Sequence, residues 1–162
     1  MRTFYRFLHP VRYVLGLLMI LFLGESARAQ FAQLQKLTPL QAQRVASAQV
    51  GYGVALDGDA MVLGAPNETG GGAAYVFEKI DGTWQQTARL VASDRTENDD
   101  FGWSVALSGT RVVVGAPLED EDATGQNFLD QAGSAYVFEK IDGTWQQTAK
   151  LVASDRSGSD NF

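Results

Sequence analysis

Residues 74–88 read AYVFEKIDGTWQQTA, and residues 135–149 repeat the same fifteen letters. The match continues through residues 89–95 and 150–156, where the only change, Arg89 for Lys150, keeps a cation. Upstream, residues 51–56 face residues 102–107. Units of this size cannot bury their own apolar faces alone, so self-similarity at a period of tens of residues signals a stacked architecture, a solenoid or a propeller.

Residues 1–29 stand apart from this array. Arg2, Arg6 and Arg12 precede the apolar run Tyr13-Val14-Leu15-Gly16-Leu17-Leu18-Met19-Ile20-Leu21-Phe22-Leu23, and Ala27-Arg28-Ala29 follows. This is the order of a cleavable signal peptide: basic start, apolar middle, small-residue cleavage site. A membrane anchor is the competing reading, but the run is shorter than the roughly 20 apolar residues that span a bilayer. Export followed by cleavage predicts a chain beginning at Gln30, with no membrane span, that is secreted, periplasmic or held at the cell surface. His9, the single histidine, leaves with the signal. No cysteine exists anywhere, so no disulfide framework supports the exported chain.

Removing the signal takes four of 13 basic residues and one of 19 acidic ones, leaving nine against 18, a net charge of −9. Such a surface repels phosphate backbones, so no nucleic acid is expected as a partner.

Unit one runs over residues 50–100 and unit two over residues 101–161, with Phe162 where a third unit begins. The ten residues that unit two has in excess lie between Pro117 and Gly133, which marks a surface loop. Four short strands are expected in each unit, in unit two over residues 104–107, 111–115, 134–140 and 144–153. Val, Tyr, Phe, Trp and Thr dominate them. Asp81-Gly82 and Asp142-Gly143 predict tight hairpins, because Gly accepts the positive φ of a type I′ turn. Residues 30–49 form a leader with two readings. Gln35-Lys36-Leu37 echoes Ala149-Lys150-Leu151, and residues 44–47 echo residues 89–93, which suits a lone outer strand; a short amphipathic helix is the alternative.

Phe101-Gly102 opens unit two and Gly115-Ala116-Pro117 closes its second strand; unit one carries Val50-Gly51 and Gly64-Ala65-Pro66. Both strings, in order and twice, resemble the FG-GAP repeat, the blade of the integrin α-chain β-propeller and of many exported bacterial proteins. The resemblance implies an all-β fold, here a partial β-propeller of two four-stranded antiparallel blades plus the leader. The residue types also have a physical reading of their own. Phe101 can fill a seam between sheets, Gly51, Gly64, Gly102 and Gly115 allow close backbone approach, Ala65 and Ala116 are small, and Pro66 and Pro117 end strands.

Two blades do not close a ring of four to eight. Either the chain is a fragment of a longer repeat protein, or several chains assemble one ring; in both cases open blade faces favour self-association.

Calcium is the one cofactor the resemblance suggests, since integrin-type blades often carry an Asp-x-Asp-x-Asp-Gly loop between the first two strands. Here those turns are too short, and the nearest donors are Asp120, Asp122, Thr124 and Asp130 in the inserted loop; a solvated acidic loop is the alternative. Asp94, Asp99 and Asp100, echoed by Asp155 and Asp160, read as a solvated connector. Asn67-Glu68-Thr69 fits a glycosylation acceptor. Trp84 and Trp145 suit either sugar stacking or cross-strand packing. Glu119 and Asp122 are the nearest approach to a glycosidase acid pair, and as exposed acids they would keep ordinary pKa values.

The expectation is a secreted, non-enzymatic interaction or adhesion module that binds a protein or glycan at the cell surface through residues 118–131 and 67–72. The alternatives are a non-catalytic part of an exported polysaccharide-degrading enzyme, or a degenerate copy without activity.

Overall fold

Two-residue Asp-Gly turns dominate the local architecture. In the computed structural model Asp81 and Gly82 have φ of 50° and 77°, and Asp142 and Gly143 have 49° and 81°. Both pairs lie in the left-handed region that a type I′ hairpin demands and that matches the right-handed twist of its strands. The structure describes residues 35–40, 47–124 and 128–162. The predicted signal peptide lies outside them, and among the described residues no helix is long and apolar enough to cross a membrane.

Eight strands follow in sequence: β1 (Val54–Asp57), β2 (Ala60–Ala65), β3 (Ala73–Ile80), β4 (Thr83–Leu90), β5 (Ser104–Ser108), β6 (Arg111–Ala116), β7 (Ser134–Ile141) and β8 (Thr144–Leu151). They form two antiparallel four-stranded meanders, β1-β2-β3-β4 and β5-β6-β7-β8, which are blade one and blade two. Residues 37–162 make one compact unit, separate from residues 1–36, of which Gln35 and Lys36 are described and exposed. Residues 35–40 are not helical.

Side-chain alternation along the strands gives each blade two faces. Val62, Ala74, Val76, Leu90 and Ala92 of blade one enter one buried cluster with Val112, Val114, Ala116, Tyr136 and Phe138 of blade two. The main core is therefore the seam between blades. Phe101 fills its centre, wholly buried, with its ring edge-on to Tyr136 at 5.5 Å and to Phe138 at 6.0 Å between centroids. Burying one such ring contributes roughly 1.5–3 kcal/mol.

Backbone closeness at this seam explains the small residues. A Cβ on Gly64 of blade one would lie 1.9 Å from the Gly102 carbonyl oxygen. Gly102 itself has φ +97°, and a Cβ there would lie 2.3 Å from the Ala73 oxygen. The Phe-Gly of one blade is thus clasped by the Gly-Ala-Pro strand of the blade before it. Phe101 N–H donates to Gly71 O at 2.9 Å and completes the clasp. Among the described residues Val50-Gly51 has no such clasp: Val50 is exposed and none of them lies within 4 Å of a Gly51 Cβ.

Polar ties run along the edges of the seam. Asp57 Oδ2 accepts from Gly109 N–H at 2.7 Å, Lys140 Nζ donates to Glu78 Oε1 at 2.5 Å, and Ser93 N–H donates to Gln147 Oε1 at 3.0 Å. A second cluster, on the far face of blade one, holds Leu63, Ala65, Ala73, Tyr75 and Phe77 against Ala48 and Leu37.

Candidate functional site

Antiparallel order sends the β2–β3 and β6–β7 loops, the β4–β5 connector and the starts of β1 and β5 to one rim, and the hairpin turns to the other. The copied residues lie mostly in strands and hairpins, so the loop rim is where the blades differ. Residues 66–71 with Glu97, Asn98 and Asp100 border a polar cleft of about 320 Å³. A second hollow of about 420 Å³ lies beside Trp103, Pro117, Leu118 and Phe162. Tyr52 and Trp103, at equivalent positions just after the Gly that opens each blade, stand exposed with ring centroids 4.5 Å apart.

Under this rim each blade buries an acid. Glu68 and Glu119 both sit two residues beyond the Pro of the second strand. Glu68 is buried, accepts from Arg89 Nε at 2.8 Å and also from Arg89 Nη2 and the Tyr75 hydroxyl. Burial, then the hydrogen bond to Glu68, pushes the Tyr75 hydroxyl up to about 12. Glu119 is wholly buried and accepts three donors: Lys150 Nζ at 2.8 Å, Ser134 Oγ at 2.5 Å and Glu121 N–H at 3.0 Å. Lys150 also donates to Asp94 Oδ2 of the blade-one connector at 2.8 Å and lies 5.6 Å from the centre of the Tyr136 ring.

Burial opposes the charge on Glu119, yet its donors outweigh that and hold its carboxyl below the usual range. Glu121 takes the opposite shift. Its hydrogen bond to Glu119, followed by burial, raises it to about 7. The expectation that Glu119 is exposed with ordinary acidity is therefore overturned. Its partners are structural cations and hydroxyls; Asp122 instead caps its own turn.

The predicted calcium donors are not gathered into a cage. Asp122 Oδ1 accepts from Thr124 N–H at 2.8 Å and Thr124 Oγ1 at 2.6 Å, a local Asx turn. Asp120 Oδ1 accepts from Gln131 N–H at 2.7 Å, and its carbonyl accepts from Leu129 N–H and Arg156 Nη2. Asp130 is exposed, and its carbonyl accepts from Ser159 N–H. Among the described residues no group of three or more acidic or imidazole side chains is placed to hold a metal ion. These donors do not fit the six to eight oxygens that calcium takes. The acids instead close the base of the loop, and Phe128 is exposed.

One of the connector acids differs from expectation. Asp99 is buried, not solvated: its carboxylate accepts both the backbone N–H and hydroxyl of Thr96 at 2.6 Å. Ser157 and Asp160 repeat that box at 2.5 and 3.0 Å. Trp84 and Trp145 are half-buried and pack against the two clusters, as cross-strand packing requires. Asn67 and Thr69 are exposed while Glu68 between them points inward. Sequence reasoning missed Tyr52 and Trp103 and both buried acids. The signal for the acids was present, since Glu, Tyr and a cation recur in register as Glu68, Tyr75, Arg89 and as Glu119, Tyr136, Lys150.

A family model described as an FG-GAP repeat matches residues 31–77 and 84–138. No curated protein matches the chain.

Proposed function

The chain belongs to the FG-GAP repeat family, and on that premise we propose that it is an exported, non-enzymatic propeller-type module that binds a protein or glycan outside the cell. One observation carries this reading: the features shared by the blades are spent on packing, whereas the rim differs between them. Blade two adds ten residues there, anchored at Asp120 and presenting an exposed Phe128. Variable loops on a rigid sheet scaffold are where recognition concentrates. The exposed Tyr52–Trp103 pair supplies amphipathic aromatic area of the kind enriched at interfaces and on sugar platforms. The basic, apolar and small-residue order of residues 1–29 supports export.

Binding of the labelled chain to a panel of extracellular proteins and glycans tests the proposal. Substituting exposed Phe128→Ala, or Tyr52→Ala with Trp103→Ala, is expected to abolish binding with little change in the melting curve. Turnover of a polysaccharide panel that vanishes with Glu119→Gln would replace this reading with an enzymatic one. Absence of any ligand across the panel would favour an inactive copy.

A further inference from the structure

Blade one and blade two have equivalent faces in unequal surroundings. Val62 is wholly buried in the seam, but its equivalent Val113 is 37% exposed; Leu90 is 3% exposed and its equivalent Leu151 is 46% exposed. Ala135 and Val137 on the same face of blade two are only half-buried, against fully buried Ala74 and Val76. The opposite face is open on blade one. Val54 and Leu56 are 59% and 60% exposed, while their equivalents Val105 and Leu107 pack into the seam. One end of the unit therefore shows a Val/Ala face and the other a face that is aromatic in its buried part, the two halves of the interface that the chain already makes within itself.

Residues 37–40 bear on the second of these faces. Leu40 N–H donates to Gln86 Oε1 at 2.9 Å, and Ser93 N–H donates to Gln147 Oε1 at 3.0 Å, so Leu40 lies on blade one as Ser93 lies on blade two. Leu37 then matches Leu90, and buried Pro39 matches buried Ala92. Further along, Ser47, Asn98 and Ser159 share φ of 70°, 75° and 66°, and Gln49, Asp100 and Asn161 share 55°, 59° and 52°. The leader copies the end of an outer strand and its connector, but the described residues hold no inner strands to go with it.

We propose that the Val/Ala face of blade two docks a second copy of this chain through that copy's blade one. Residues 37–40 of the second copy occupy the seat that residues 151–154 of the first would take. The occupant is a second copy because blade one repeats letter for letter the third strand and hairpin, with Tyr75 and Phe77, that seat blade two on blade one as Tyr136 and Phe138. The leader is then a competitor held in cis, and its release opens a head-to-tail contact. Heterologous contacts of this kind propagate into rings or filaments.

Sedimentation velocity of the full chain over a hundredfold concentration range tests this. Leu37→Asp with Pro39→Asp frees the seat and is expected to move association to at least tenfold lower concentration. Adding Leu151→Glu or Val113→Glu, both at solvent-exposed positions, is expected to restore the monomer, whereas Phe128→Glu on the rim leaves association unchanged. A monomer at every concentration for the Leu37/Pro39 variant overturns the proposal, as does association that ignores Leu151→Glu. Association abolished equally by Phe128→Glu would show general stickiness and would overturn it too.

Discussion

Lys150 is the residue whose loss the structure makes most legible. Its side chain is 5% exposed, and its ammonium nitrogen lies 2.8 Å from both Glu119 Oε1 and Asp94 Oδ2. Lys150→Met keeps the length of the stem and removes the charge, leaving a wholly buried carboxylate with the Ser134 hydroxyl, the Glu121 N–H and the Glu121 carboxyl but no cation. Breaking a buried pair by removing one partner costs about 3–5 kcal/mol, because the other charge remains desolvated. Against a total stability of about 5–15 kcal/mol this is a large fraction. The expected readout is a fall of roughly 1.5–2.5 M in the urea midpoint, at a slope of about 2 kcal/mol per molar. Two companions make the cause identifiable. Lys150→Arg is expected to be mild, since Arg89 serves the same role on Glu68 in blade one. Glu119→Gln with Lys150→Met is expected to recover at least half the loss, because Gln removes the charge, keeps one oxygen to accept from the Glu121 N–H and can donate its amide N–H to the Ser134 hydroxyl oxygen. A single variant within about 1 kcal/mol of the parent, or a double variant no better than the single, would refute the argument from a desolvated charge.

Phe101→Ala is expected to cost about 3–5 kcal/mol in urea unfolding by opening the seam, whereas Phe162→Ala, at an exposed position, changes the midpoint little. Glu121, raised to about 7 from an ordinary value near 4.5, favours the folded state below that ordinary value, and the contribution is lost as pH rises through about 7; Asp99 and Asp100, raised by burial, act in the same sense. The urea midpoint should therefore fall between pH 5.5 and pH 8, and Glu121→Gln should flatten the fall. Glu119, held low, acts oppositely and protects only above its ordinary range. Adding calcium or EGTA is expected to leave Tm unchanged; a rise with calcium would show that the inserted loop gathers donors after all.

Strands and hairpins were readable because local chemistry decides them. Asp-Gly can only turn one way between alternating apolar residues, and the observed β5–β8 differ from the expected strands by a residue or two at their ends. The acids were misread for the opposite reason: burial is decided by distant partners. Glu119 stands in Leu118-Glu119-Asp120-Glu121-Asp122, a run that looks solvated, and is drawn inward by Lys150, thirty-one residues on. Asp99 likewise owes its burial to the Thr96 box and to the neighbouring β6–β7 loop start, where Leu118 N–H donates to its carbonyl at 3.3 Å. The exposure of Tyr52 and Trp103 depends on which strand ends meet at the rim, which no local pattern reports.

The two buried acids are not equivalent, and the difference explains why a charge is kept inside a seam that apolar residues could fill. Glu68, Tyr75 and Arg89 all belong to blade one, so that network closes within a blade. Lys150 of blade two instead divides its hydrogen bonds between Glu119 of its own blade and Asp94 of the blade before. An apolar seam of Val and Ala tolerates sliding by a residue with little loss, whereas an ion pair across the seam is satisfied in one register only. The fifteen repeated letters make such an error a real hazard, since either blade's third strand presents the same Tyr and Phe to a neighbour. Asp94→Ala tests the point: the seam should keep most of its stability, because Glu119 still neutralises Lys150, while hydrogen exchange at Phe101 and Gly102, the residues clasped by blade one, should speed up. Unchanged exchange there would mean that the apolar contacts and the remaining ties across the seam, Lys140 to Glu78 among them, hold the register without Asp94.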